Sequence, residues 1–264
     1  MKKNQSVDLL HGPIFKSLSL LAIPIMATYF IQMAYNLVDM LWIGFLGSGA
    51  VASIGVSGNF MYLANGLVNM PKIGSQALVG QSLGANNKEE TINYIEAAFQ
   101  SSIFFALIYG VIIIVFQKNL IQLFNLSDPI IIQDAQNYLW ITCGFIVFSF
   151  VNQIFTGILT AAGHSKSTFI ATTTGLVLNL ILDPVLIFVF DLRVIGAALA
   201  TILAQIIVTL VFLYDARNLD LFRDIHILSK PELNHISKIL KIGFPSSVQS
   251  MLFTCISMYI ARLI

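Results

Sequence analysis

Charge is the scarcest commodity in this chain. Of 264 residues only 10% are Asp, Glu, Lys or Arg, against 57% hydrophobic, and mean hydropathy is +0.84. A soluble domain carries roughly 25% charged residues, so the composition excludes a water-soluble globule and predicts a polytopic membrane protein. A net charge of +1, with no basic stripe, excludes nucleic acid as a partner. Only two cysteines occur, Cys143 and Cys255, both inside apolar runs and without metal-ligand spacing. They read as small buried residues. No nucleotide-binding loop, nucleophile elbow or zinc pattern is present, which argues against an enzyme and against ATP-driven transport. Residues 1–16 are polar, and the apolar run from Ser17 is too long for a signal core. The chain is therefore expected to enter the membrane by internal spans.

What the chain has instead is long apolar runs. A helical span needs about 20 such residues, and seven candidates appear: 17–43, 51–80, 95–116, 137–160, 167–190, 195–215 and 238–262. The predicted fold class is an all-α polytopic helical bundle. The stretch 117–134 (QKNLIQLFNLSDPIIIQD) is polar and broken by proline, and reads as an interfacial loop. The connection 216–237 holds Arg217, Asp220, Arg223, Asp224, Lys230 and Glu232, and reads as a linker lying in water, as do the loop and linker histidines His164 and His226. With the N-terminus inside, the inner links hold Lys2, Lys3, Lys16, Lys88, Lys166, Arg217, Arg223, Lys230, Lys238 and Lys241, and the outer links only Lys118 and Arg193. That asymmetry predicts a cytoplasmic N-terminus.

Among so few charges, two carboxylates inside spans stand out. Asp39 follows Asn36 by three residues and Asp183 follows Asn179 by four, so each amide shares a helix face with its acid. A charge in hydrocarbon costs at least about 2.5 kcal/mol and is usually kept because it carries protons, ions or substrate. Asp183 falls roughly 10 Å below the outer end of its span at 1.5 Å per residue. Asp39 and Thr201 fall near the same level. Two carboxylates, an amide carbonyl and a hydroxyl are the oxygen ligands that sodium prefers. Two carboxylates close together also resist double ionisation, so the pair can hold a proton instead. The structural alternative is that Asp183 caps a helix end ahead of Pro184 while Asp39 lies at headgroup level. Pro24 and Pro184 each remove a backbone hydrogen bond and are candidate hinges. Lys72, after Pro71, lies about 12 residues from the inner end of its span and reads as a snorkelling side chain, the alternatives being that it pairs with a carboxylate or repels cationic cargo. Gln32, Tyr35 and Asn36 are candidates for lining a cleft. Phe148, Phe150 and Phe155 read as packed or lipid-facing.

The chain also repeats itself. KSLSLLAIPIMATYFIQ around Pro24 returns as KILKIGFPSSVQSMLF around Pro245, an offset of 221 residues. Six spans per unit would keep the units parallel. The second copy has Ile260 where Asp39 would fall. The expected organisation is a six-helix lobe over 1–215, a cytoplasmic linker over 216–237 and, over 238–264, the first helix of an incomplete second lobe.

Six segments carry a resemblance, in order: LLAIP with YNLVDMLWIGFLG, SLGANNKEE, LFNLSDP with YLWI, GILTAAGHSK, NLILDPVLIF and GAALAT. Together they resemble the multidrug and toxic compound extrusion (MATE) family of secondary transporters. The resemblance implies two six-helix lobes around a central cleft, export of organic cations or drugs in exchange for protons or sodium, no cofactor beyond that coupling ion, and residence in the cell (plasma) membrane. It places a cation site, sodium or proton, on Asp39, Asn179, Asp183 and Thr201. Lys72 departs from the apolar and small residues expected there. Expected partners are small organic cations, the bilayer, and either a missing C-terminal lobe or a second copy of the chain. The competing readings are a flippase for a lipid-linked saccharide, which would need several cleft cations, and a truncated remnant that transports nothing.

Overall fold

The computed structural model describes residues 14–226 and 230–263, the side chains of 14–17, 21, 35 and 263 excepted. Lys2 and Lys3, counted above for orientation, lie outside the described residues, as do the side chains of Lys16 and Tyr35. Among the described residues the chain is helical, without strands: α1 (Ile14–Phe45), α2 (Ser48–Gly84), α3 (Lys88–Gln122), α4 (Pro129–Gly144), α5 (Ile146–Ala161), α6 (Ser165–Pro184), α7 (Arg193–Arg217) and α8 (Leu233–Leu263). Six of these are long and apolar enough to cross a membrane singly, and the run 137–160, expected as one span, is broken between α4 and α5 with a bend of 51°. A bilayer core permits only backbones that satisfy their own hydrogen bonds, and helices do so.

Local chemistry sets the ends. Asn87 accepts a hydrogen bond from the Glu90 amide at the start of α3, with Glu89 and Glu90 against the positive helix end. Asp128 accepts from the Ile130 amide, and Pro129 opens α4. Asn86 and Asn125, with φ of 55° and 52°, occupy the left-handed region after α2 and α3. The stretch 117–134 is therefore mostly helix, contrary to the interfacial loop expected of it: α3 runs on to Gln122 and α4 starts at Pro129. Asp-Pro was a start signal misread as a break. Gly110 of α3 lets the backbone of Cys143 approach so closely that an added Cβ would lie 2.8 Å from its carbonyl oxygen.

Two apolar clusters hold the bundle. At the end of the bundle where α2 meets α3, Phe155 stacks on Phe212 at 5.3 Å and meets Phe99 edge-on at 4.9 Å. Toward the opposite end of the bundle, Phe60, Tyr109, Leu139 and Phe150 pack together, and the Tyr109 hydroxyl donates to the Phe60 carbonyl at 2.5 Å. Phe150 and Phe155 are thus packed, as expected. Cys143 is buried but Cys255 is exposed, because it lies on the face of α8 turned away from the bundle, a correction to its reading as a buried residue.

The connection after α7 is not simply a linker in water. Leu219 is buried, and Leu221, Phe222 and Ile225 pack on the inner core. Lys88 meets Asp224 at 2.6 Å, and the His226 amide donates to Glu96. Four apolar residues among the charges supply the docking energy that the charge pattern obscured. His226 is exposed as expected. His164, at the start of α6, is half-buried, whereas a solvated loop was expected. Burial lowers the affinity of its imidazole for a proton, and nearby Asp215 opposes that only in part. Stability from this group is therefore complete above its ordinary value of 6.5 and is lost as pH falls through the depressed value. His164→Gln should flatten the acid limb of thermal stability in detergent between about pH 5 and pH 7. An unchanged slope would remove His164 from the account.

Candidate functional site: a carboxyl pair above a polar cavity

The two intramembrane acids come together. Asp39 lies six residues before the end of α1 and Asp183 one residue before the end of α6, and their carboxyl groups are in hydrogen-bonding contact. Two carboxyls can share such a contact only with a proton or a cation between them. Asp183 is 1% exposed and Asn179 3%. The Asn179 amide donates to Asp183 Oδ1 at 3.4 Å, a long bond made possible by their four-residue spacing.

The backbone departs from α-helix beside the pair. Pro184 follows Asp183, and the next residues, Val185–Val189, form a π-helical turn in which the Phe190 amide donates to the Val185 carbonyl. Such turns arise where the regular ladder is interrupted and are frequent at functional sites. Trp42, nearly one turn beyond Asp39, packs edge-on against Phe188 of that turn at 6.2 Å. Thus α1 touches α6 at both the carboxyl and the irregular backbone. Pro24 lies within α1, where Thr28 donates its hydroxyl to the Pro24 carbonyl at 2.8 Å.

Tyr138 of α4 was missed by the sequence reading. It hydrogen-bonds Thr201 of α7 and lies within electrostatic range of both Asp39 and Asp183. Its phenol in YLWI is one aromatic among many in a membrane chain, and only the fold shows that α4 carries it to α7. Thr201 also donates to the Ala197 carbonyl at 3.0 Å.

Below this cluster a cavity of about 530 Å³ runs along α6 from Ser165 to Asn179. Asn179 and Thr201 lie on its wall, with Asp39 and Asp183 behind them. Gln32 and Tyr29 of α1 face it; Asn36 is exposed and does not. Most of the remaining wall is amide and hydroxyl. Lys72 does not snorkel to the inner interface as expected. It reaches across the cavity wall to α5, where its ammonium donates to Gln153 Oε1 at 2.7 Å. Gly157 makes room for it: a Cβ there would lie 3.2 Å from Lys72 Cγ.

The described residues thus form a helical bundle with a carboxyl pair at a proline-interrupted helix and a polar cavity beneath it. The MatE family model matches residues 24–185, and the chain belongs to that family. The multidrug export protein MepA of Staphylococcus aureus is 27% identical over 257 residues, which cover 96% of this chain and 56% of MepA. An outward-facing multidrug resistance MATE family transporter of the MOP superfamily superposes with a TM-score of 0.85 at 25% identity, covering 95% of this chain and 56% of that one. A MOP superfamily transporter from Pyrococcus furiosus, described as having a reversed binding-pocket polarity that suggests a different function, superposes at 0.82 with 27% identity, covering 95% and 56%. The chain spans about half the length of the curated relatives it matches.

Proposed function

We propose that this chain forms the cation-coupling lobe of a multidrug exporter. In this reading Asp39, Asn179, Asp183 and Thr201 bind the coupling proton or sodium ion. One observation carries it: acids from α1 and α6 meet at the same level, and the cavity beneath them ends on Asn179 and Thr201. Cargo in the cavity and a cation at the carboxyls would then share two wall residues, so each can sense the other without catalysis or a cofactor. Occupancy of the pair biases α1, whose contact with the π-turn after Pro184 gives it two packing arrangements to choose between. Pro24 allows the bend. The division into a lobe (1–215), a linker (216–237) and the start of a second lobe, and the plasma-membrane location with a cytoplasmic N-terminus, belong to the same proposal.

The flippase reading fares worse. Lys72 is the single charged residue on the cavity wall, among the described residues, and one ammonium cannot balance a pyrophosphate. Efflux from cells expressing the gene, under imposed proton and sodium gradients in turn, tests the coupling and chooses the ion. Efflux indifferent to both gradients rejects it. Tyr138→Phe should weaken the apparent affinity for the coupling ion about fivefold, the equivalent of one hydrogen bond near 1 kcal/mol, without reducing the amount of protein in the membrane. Equal cation dependence in the variant would exclude Tyr138 from the site.

A further inference from the structure

The cavity has an unexpected polarity. Its single formal charge is positive, and no acid lies on its wall among the described residues. Of the three N–H groups on the Lys72 ammonium, one is given to Gln153 Oε1, itself neutral. Gln153 is oriented from the other side, its amide donating to Asn65 Oδ1 at 3.5 Å. This relay leaves the Gln153 oxygen facing the lysine and the Asn65 amide group available as a further donor. Gln76, one turn along α2 from Lys72, adds another amide on the same wall. An ammonium surrounded by neutral amides at membrane depth is incompletely compensated, a costly arrangement that becomes favourable when an anion completes it.

From this geometry we infer that Lys72, with the Asn65 and Gln76 amides, is a receiving site for a carboxylate on the cargo, so that the exporter favours zwitterionic over purely cationic organic molecules. The inference rests on the reading above, that this cavity holds cargo. A single ammonium matches a monoanion. A phosphate monoester would leave one charge unbalanced, and neither an arginine fork nor a second lysine is on the wall to meet it. On the same cavity wall stand Asn179 and Thr201, backed by the two acids. A positive group on the wall and an acidic pair behind Asn179 and Thr201 suit a molecule with a carboxylate and a cationic group. The cationic group then rests against Asn179 and Thr201, in the field of the carboxyl pair, and the carboxylate rests on Lys72.

Rhodamine 110 and its methyl ester, rhodamine 123, share a cationic ring system and differ in one free carboxylate. Fluorescence anisotropy titration on the purified protein in nanodiscs should show rhodamine 110 binding about tenfold more tightly, the effect of about 1.4 kcal/mol. Lys72→Met should bring the ratio to about one by weakening rhodamine 110 alone, whereas Lys72→Arg should keep most of it. Elution as a monodisperse peak and an unchanged thermal melting profile show that Lys72→Met remains folded. Equal binding of the two dyes, tighter binding of the ester, or a preference that survives Lys72→Met overturns the inference. Asp183→Asn separates the two proposals. If it abolishes efflux while the dye preference is absent, coupling stands and the carboxylate site falls. If the dye preference is present while Asp183→Asn exports normally, the site stands and the coupling assignment falls.

Discussion

Asp183→Asn should reduce gradient-driven efflux by roughly 100-fold, the upper range of coupling between two ligand sites, and leave the protein inserted at its normal level. The substitution changes very little except the ability to carry charge. Asn has the shape of Asp, and its side chain still accepts from the Asn179 amide, the contact now made by Asp183 Oδ1. It can also donate to Asp39. What it cannot do is bind and release a proton, or offer sodium a second anionic oxygen. Burial at 1% exposure means that no bulk water substitutes for the lost charge. Asp39→Asn should act in the same direction, because the two acids share one occupant. For the same reason the double variant should be hardly worse than either single one, since residues acting as a unit are strongly non-additive. Efflux from cells expressing each variant at matched membrane levels measures this. Wild-type efflux by both single variants would remove the carboxyl pair from the mechanism. Additive losses would mean two separate sites rather than one.

Helix periodicity and the cost of charge in lipid made much of this legible. Six of the seven expected spans are single long helices and the run 137–160 is a bent pair. Asp39 and Asp183 stood out by rarity, Asn179 by spacing and Thr201 by depth, and the family resemblance joined the four into one site. The contact between α1 and α6 was not readable, because depth fixes one coordinate and leaves the lateral arrangement of helices open. Tyr138 was hidden for that reason: its role depends on which helix lies beside α4. Lys72 failed differently. A lysine stem is long enough to reach an interface or a neighbouring helix, and only the neighbour's identity, Gln153 with Gly157 one turn on, decides between them. The α4 start was misread because Asp-Pro serves both as a loop and as a cap with its first helical residue. The docked segment Leu219–Ile225 was masked by its charged neighbours.

Gly243→Val should detach α8 from α2, a structural effect larger than any other single change considered for this chain. The two helices meet through glycines on both sides. A Cβ on Gly243 would overlap the Met70 carbonyl, and one on Gly74 would overlap the Ile239 carbonyl. Neither obstacle is the end of a flexible side chain, so the helices must move apart. Small residues let membrane helices approach to backbone contact, where dispersion and polar contacts do the work that hydrophobic burial does in water. Here the polar contacts are Ser247 to the Gly66 carbonyl at 2.8 Å and Asn69 to Ser250 at 3.2 Å. Separation loses these as well, so Gly243→Ala should cost about 1–3 kcal/mol as overpacking, and the larger Val more. The consequence reaches beyond stability. The repeat around Pro24 and Pro245 led to the expectation that α8 starts a second unit, yet its backbone packs directly on α2. A backbone-to-backbone seam of this kind moves as one body, so α8 should travel with α2 when the cavity opens and closes. Disulfide trapping of N69C with S250C should therefore be fast and insensitive to coupling-ion gradient in the parent, and slowed several-fold by Gly243→Val. Trapping that stays fast in the Val variant would show that the glycines do not set the seam. Trapping that changes with the gradient in the parent would mean that α8 slides past α2 during transport.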